Sequence, residues 1–174
     1  MNNFFVILAA GKGSRFKAKD KKQYVFYKNL RLFEHSIFKS LNSRLFKKII
    51  LVVDNPKKIK NTYSKNVIII KGGRQRSDSS LNALKYLRKY KPKNIFIHDA
   101  ARPNFSVKLL KNILKNLKKN KAVVPVINSK DTIKYRIKNQ LFNLNRNNLL
   151  LTQTPQAFRF KELYHLALKD KNMI

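Results

Sequence analysis

The run Phe4-Phe5-Val6-Ile7-Leu8-Ala9-Ala10-Gly11-Lys12-Gly13-Ser14-Arg15 decides how this chain folds. Its first five residues are continuously apolar, the pattern of a strand buried on both faces rather than one half exposed to water. Small residues and glycines follow at once. They let backbone N–H groups approach phosphate oxygens closely, and a helix starting there would add its positive end, so the loop is built as an anion cradle. The two standard glycine fingerprints do not fit: Phe16 stands where a dinucleotide-binding loop has its third glycine, and no Gly-Lys-Ser/Thr follows at P-loop spacing. Taken alone, the loop also reads as a plain tight turn.

Outward from this run, short apolar stretches recur at residues 49–53, 67–70, 95–97 and 123–127. Between them lie segments with helical period: Leu81, Leu84 and Leu87 with Tyr86, and Leu109, Leu110, Ile113, Leu114 and Leu117 with Ser106 as N-cap. Strand and helix alternate, which predicts an α/β fold: a mostly parallel twisted sheet, right-handed crossovers and helices on both faces. Ligands of such sheets sit at the carboxyl ends of the strands. The short segments 133–137 and 141–144 differ, being set apart by Asn139-Gln140 and an asparagine-rich stretch over 143–148. They predict a hairpin leaving the main sheet, a β-arm over about 132–150 able to carry a dimer contact. No repeat or low-complexity linker divides the chain, so residues 1–174 read as a single domain.

An apolar content of 43% over 174 residues is enough for one core. The absence of cysteine removes disulfides, thiolate zinc sites and cysteine nucleophiles, and suits a cytoplasmic location. The apolar run at 4–10 is far shorter than the roughly 20 residues that span a bilayer, so no membrane association is expected. A formal charge of +32 would suit a nucleic-acid-binding domain. Such a domain gathers its lysines on one face with interleaved aromatics, whereas here they are scattered through almost every segment, alongside the asparagine and isoleucine that AT-rich coding favours. The charge therefore reads as a solvated surface, with attraction of polyanionic substrates as its other use and no nucleic-acid partner.

Individual residues point the same way. Asp99, one of eight acidic residues, follows the strand at 95–97 and would lie at the ligand-binding edge, where a carboxylate can hold magnesium against phosphate oxygens. A helix N-cap is its alternative role. Arg15 and Lys22 are cations close to the glycine loop, suited to charge developing on a triphosphate; alone, either reads as a surface charge on a chain this basic. Gly72 and Gly73 end a strand where a flat base could lie on bare backbone, with Arg76 and Ser79 supplying polar contacts, or else form an ordinary loop capping the next helix. His98 reads as a packing or hydrogen-bonding residue, and His35 and His165 as structural.

Beyond the loop, blocks follow one another in a specific order: Ala9-Ala10-Gly11-x-Gly13-x-Arg15, Lys22-Gln23-Tyr24, His35-Ser36-Ile37, Gly72-Gly73-x-x-Arg76-x-x-Ser79 and His98-Asp99-Ala100-Ala101-Arg102-Pro103. Asp131-Thr132-Ile133-Lys134, Arg146-Asn147 and Gln153-Thr154-Pro155-Gln156-x-Phe158 complete the series. Together they resemble the 2-C-methyl-D-erythritol 4-phosphate cytidylyltransferases over essentially the whole chain. The resemblance implies a Rossmann-like, GT-A-like nucleotidyltransferase that joins CTP to methylerythritol phosphate with Mg2+ and releases pyrophosphate. It implies CTP contacts at Ala9, Ala10, Gly11, Gly13, Gly72, Gly73, Arg76, Ser79 and Ala100, and catalytic cations at Arg15 and Lys22. Asp99 becomes the metal ligand, and Thr132, Arg146 and Thr154 hold the methylerythritol phosphate. In that family the arm crosses to a partner subunit of a homodimer, so Arg146 would serve the neighbour's site.

Two departures stand out. The family continues into a further strand and helix bearing an aspartate and a lysine near the metal and phosphates, and nothing after Phe158 matches them. The sequence thus reads as lacking that end, which leaves room for an inactive remnant or for a lost C-terminal half of a two-enzyme fusion. Lys21 stands where the family usually has proline, a change expected to loosen the loop ahead of Lys22. The related ribitol-5-phosphate cytidylyltransferases are the closest alternative, and Asp99-Ala100-Ala101-Arg102 with Lys22-Gln23-Tyr24 favours methylerythritol.

Overall fold

The computed structural model describes residues 2–11, 21–60 and 63–169. Strand β1 (Asn3–Leu8) forms as the apolar run predicts and lies inside a six-stranded sheet. A two-strand hairpin, β2 (Phe26–Tyr27) and β3 (Leu30–Arg31), turns through Lys28 and Asn29 with φ of 48° and 62°, the left-handed pair a two-residue hairpin turn needs. Helix α1 (Leu32–Asn42) then leads into β4 (Lys48–Val53), which is followed by β5 (Val67–Lys71), α2 (Arg76–Leu87) and β6 (Asn94–Asp99). Helix α3 (Val107–Leu117) starts at Ser106, whose hydroxyl accepts from the Leu109 N–H as the sequence predicts. Beyond it come β7 (Ala122–Val123), β8 (Val126–Asn128), β9 (Ile133–Ile137), β10 (Gln140–Leu144), β11 (Leu150–Thr152), β12 (Gln156–Arg159) and α4 (Phe160–Lys169).

The main sheet has the order β5-β4-β1-β6-β12-β7. Its first four strands are parallel, and β12 runs antiparallel between β6 and β7. Strand period sorts the core into two layers. Phe5, Ile7, Ile49, Leu51, Val53 and Phe96 face α1 and α3 through Phe33, Ile37, Leu110, Ile113 and Leu117. Phe4, Val6, Ile50, Val52, Ile95 and Ile97 face α2 and α4 through Leu81, Leu84, Leu87, Phe160 and Leu163. Most of these side chains are fully enclosed, and at about 1.5–3 kcal/mol each their burial is the main force holding the sheet between its helices.

Chain order creates a switch point. From β1 the chain moves through β4 to β5 on one side, then returns to place β6 on the other side of β1. In open α/β sheets the crevice beyond the strand ends at such a reversal is where ligands bind.

Two sequence expectations need correction. The stretch 123–127 is not one buried strand: Pro125 lacks the N–H a ladder requires and separates β7 from β8, whose residues are exposed. The arm also has two storeys. β8 pairs with β11 at its base, and β9 pairs with β10 in the hairpin beyond.

Candidate active site

Backbone register gathers the predicted residues at one edge. Leu8 pairs with Val52 and with Asp99, and Val53 pairs with Lys71, so β1, β4, β5 and β6 all end at the same level. Three further bonds carry that level into the loops: Ala9 N–H to Val52 O at 2.7 Å, Gly72 N–H to Val53 O at 2.7 Å and Ala100 N–H to Leu8 O at 3.1 Å. Ala9, Ala10, Gly11, Gly72, Gly73, Asp99 and Ala100 therefore emerge side by side at the switch point. Gly13 and Arg15 lie outside the described residues.

The glycines divide into two kinds. A Cβ on Gly11 would meet nothing within 4 Å among the described residues, which leave the loop backbone there uncovered. A Cβ on Gly72 would collide with Ala10 Cβ and come within 2.8 Å of Ser79 Oγ, and one on Gly73 would collide with Asp78. Gly72 is bare because Ala10 and the first turn of α2 close on it, and Gly73 because that same turn does, the loop-and-cap role; their Cα faces are covered by protein. Ser79 is buried, and its Oγ accepts from the Gly73 N–H at 3.1 Å.

Lys22 begins a single 3-10 turn, Lys22–Tyr24, that is latched onto the glycine loop. The latch is Gln23, a buried amide that donates to Ala9 O and Gly11 O, both at 2.8 Å. The turn is held from behind by Asp54, which accepts from Lys21 Nζ at 2.6 Å and Tyr24 Oη at 2.7 Å. Burial raises the Asp54 carboxyl, but these two hydrogen bonds and the Lys21 charge outweigh it, and the carboxyl sits below its ordinary range. Tyr24 is pushed well up by burial and by its bond to Asp54. Lys21, standing in place of proline, is tied by its side chain to Asp54, and the loop ahead of it lies outside the described residues. Gln23 and Asp54 were assigned no role from sequence. Asp54 directly follows a strand, the signal that singled out Asp99, and could have been found by it.

Asp99 is flanked by cations. Arg76 Nε bonds its Oδ1 at 3.0 Å and Arg102 Nε lies 3.5 Å from its Oδ2, while Arg102 Nη1 donates to Gln153 Oε1 at 2.8 Å. All three side chains keep partial solvent access, so each pair is worth about 1 kcal/mol or less and yields readily to a competing ion. Among the described residues no group of three or more His, Cys, Asp or Glu side chains could cage a metal. Magnesium seldom needs one: it takes one or two carboxylates and completes its shell with substrate phosphates and water, so a lone Asp99 fits a phosphate-bridged ion and not a protein-only site.

Thr154 reaches the same place from β12. Gln156 pairs antiparallel with Ile97, so continuing that register sets Thr154 opposite Asp99. The Asp99 N–H bonds Thr154 Oγ1 at 3.3 Å, and the same oxygen lies 2.9 Å from His98 Nδ1. His98 is fully enclosed, with Phe105 edge-on at 4.7 Å and Nε2 3.2 Å from Ser36 Oγ. Burial pushes its pKa down to about 3, against weaker upward pulls from Asp99 and the Arg102 carbonyl, so the ring is neutral at any working pH.

Thr132 and Arg146 stand apart. Both are exposed on the arm, Arg146 in a one-turn 3-10 helix, and among the described residues no hydrogen bond links either to the sheet edge. Among the described residues the structure thus assembles Ala9, Ala10, Gly11, Lys22, Arg76, Ser79, Asp99, Ala100 and Thr154, and leaves Thr132 and Arg146 outside.

Residues 4–173 match the family model for IspD, 2-C-methyl-D-erythritol 4-phosphate cytidylyltransferase. The chain is 47% identical over 168 residues to a bifunctional enzyme IspD/IspF of Pelagibacter ubique, covering 95% of this chain and 45% of that protein. It is 34% identical over 170 residues to a 2-C-methyl-D-erythritol 4-phosphate cytidylyltransferase of Caldicellulosiruptor bescii, covering 94% and 75%. The bifunctional IspDF of Campylobacter jejuni superposes with a TM-score of 0.86 at 28% identity, over 99% of this chain and 45% of the other. The chain spans less than half of the bifunctional proteins it matches and about three quarters of the single-function one. With a family model matched from β1 to beyond α4 and a sheet edge carrying that family's blocks, the chain belongs to the 2-C-methyl-D-erythritol 4-phosphate cytidylyltransferase (IspD) family.

Proposed function

We propose that the protein transfers the cytidylyl group of CTP to 2-C-methyl-D-erythritol 4-phosphate, giving 4-diphosphocytidyl-2-C-methyl-D-erythritol and pyrophosphate. The observation carrying this reading is the convergence, at one strand edge, of an open glycine loop, a single carboxylate between two arginines, and a threonine hydroxyl. A phosphate monoester has its second pKa at about 6, so the nucleophile is already largely dianionic near neutrality and needs no base. The phosphate oxygen attacks the α-phosphorus, and the bond to pyrophosphate breaks in line. What the chain must do is align two polyanions and offset their repulsion.

The roles of the described residues follow from position, and those of Gly13 and Arg15 from the family's blocks. Gly11 offers open backbone to the triphosphate, with Ala9, Ala10, Gly13, Gly72, Gly73, Ser79 and Ala100 shaping the nucleotide site around it. Lys22, on a turn pinned by Gln23, and Arg15 meet charge developing on the departing pyrophosphate. Arg76 is free to turn from Asp99 toward the nucleotide when an ion takes its place. Asp99 would hold Mg2+, which when bound offsets phosphate charge. Thr154 orients the attacking phosphate. Thr132 and Arg146 belong to this reading through a homodimer, in which the arm brings Arg146 to the neighbour's site; support comes from the arm's uncovered apolar face. Cytoplasmic action is part of the same proposal, since a cysteine-free chain gains nothing from an oxidising compartment.

Pyrophosphate release from CTP and magnesium, measured with either polyol phosphate as acceptor, tests this. Release with methylerythritol phosphate is expected. Release with ribitol 5-phosphate alone moves the substrate to the sibling enzyme, and CTP binding with no release from either makes the chain a non-catalytic binder.

A further inference from the structure

Five polar groups run in line from the core to the site: the Ser36 hydroxyl, the two ring nitrogens of His98, the Thr154 hydroxyl and the Asp99 N–H. The Arg102 carbonyl pulls on the ring but forms no hydrogen bond of good geometry with either nitrogen, so the hydrogens can be assigned by counting these bonds. Ser36 is fully buried, and among the described residues its hydroxyl meets one partner, His98 Nε2 at 3.2 Å. A buried O–H that fails to donate strands its hydrogen, so Ser36 donates and Nε2 accepts. A neutral imidazole then carries its proton on Nδ1. That N–H donates to Thr154 Oγ1 at 2.9 Å, and the Asp99 N–H donates to the same oxygen at 3.3 Å. Both acceptor positions of the threonine are filled, and its own hydrogen is left to point outward. The opposite tautomer would reverse the threonine: it would donate to His98 and offer the site a lone pair, which suits a substrate hydroxyl and repels a phosphate oxygen.

We propose that His98 is a positioning residue, held by Ser36 as the Nδ1–H tautomer, that makes Thr154 a one-way hydrogen-bond donor to the incoming phosphate monoester. The assignment of Thr154 to that phosphate rests on the function proposed above; the tautomer does not. A charge-assisted bond of this kind changes affinity on the order of tenfold to a hundredfold when it is lost.

Long-range proton–nitrogen correlation spectra of protein carrying ring-labelled histidine read the tautomer directly, and only three histidines need assigning. His98 should show a protonated Nδ1 and an acceptor-type Nε2 without any ligand or turnover. A protonated Nε2 overturns the proposal whatever the enzyme does, whereas absent turnover with the expected spectrum counts only against the proposed reaction. His98→Asn and His98→Gln then separate positioning from packing, since the Asn amide nitrogen falls near Nδ1 and the Gln one near Nε2. His98→Asn should keep the KM for the phosphate monoester within about threefold, and His98→Gln should raise it on the order of tenfold with CTP affinity unchanged. Equal KM values for two folded variants would overturn the proposal; should neither variant fold, the spectrum of the unmodified protein decides alone.

Discussion

The strand edge and the arm are built from similar residues and treated oppositely. At the edge, polar groups are tied to one another inside a single chain: Gln23 to the glycine loop, Asp54 to Lys21 and Tyr24, Thr154 to Asp99 and His98. In the arm the cross-strand pairs Tyr135 with Phe142 and Ile133 with Leu144 put an apolar face on one side of the ribbon, together with Ile137. That face is left open: Tyr135 is 54% and Ile137 49% exposed. Soluble monomers rarely leave such a face uncovered. The edge is ordered by contacts within the chain, whereas the arm's open face is, under the function proposed above, a dimer contact.

The largest effect should come from exchanging like for like between the two. Phe5→Ala, in the enclosed layer against Phe96 and Phe105, should cost about 3–5 kcal/mol in denaturant unfolding. Phe142→Ala should stay within about 0.5 kcal/mol in the isolated chain. Comparable losses would mean the arm is part of the monomer's core. Within the edge, Lys22→Ala should lower kcat by about 100- to 1,000-fold and leave CTP affinity nearly unchanged, because its contact strengthens as charge develops. Steady-state kinetics beside calorimetry separate the two, and equal losses in both would remove its proposed role. In the arm, Tyr135→Glu should weaken self-association by about thirtyfold or more in sedimentation, with melting of the dilute chain unaltered.

Two further effects probe the edge alone. His98 has its pKa depressed from 6.5 to about 3, so below pH 6.5 the unfolded chain binds a proton that the folded one refuses. Its contribution is intact above pH 6.5 and is lost progressively as pH falls toward 3, at about 1.4 kcal/mol per pH unit. Unfolding curves for His98→Asn should lack that slope. Lys21→Ala removes a half-exposed bridge to Asp54 and should cost no more than about 1 kcal/mol of stability.

Much of the edge was legible in the sequence because its causes are local. Continuous apolar runs give buried strands, and Asp99 follows one of them. What could not be read depends on pairing at a distance. β12 looked like a site motif, since only Ala157 of its four residues is buried, yet its antiparallel register is what carries Thr154 to Asp99. Pro125 was an available warning that residues 123–127 could not be a single strand. The packing role of Gly72 and Gly73 depends on where α2 lands, and Gln23 is given meaning by carbonyls fourteen and twelve residues away. The arm was visible as a hairpin from its asparagine-rich breaks, but its base pairing of β8 with β11 joins segments more than twenty residues apart.

Calorimetric titration of CTP, with and without magnesium, bears most directly on the claim that this edge grips a nucleotide triphosphate. Binding should be strong with the ion, weak without it, and insensitive to the ion in Asp99→Asn. Equal affinity for CTP in the presence and absence of magnesium, or none in either, would contradict the account.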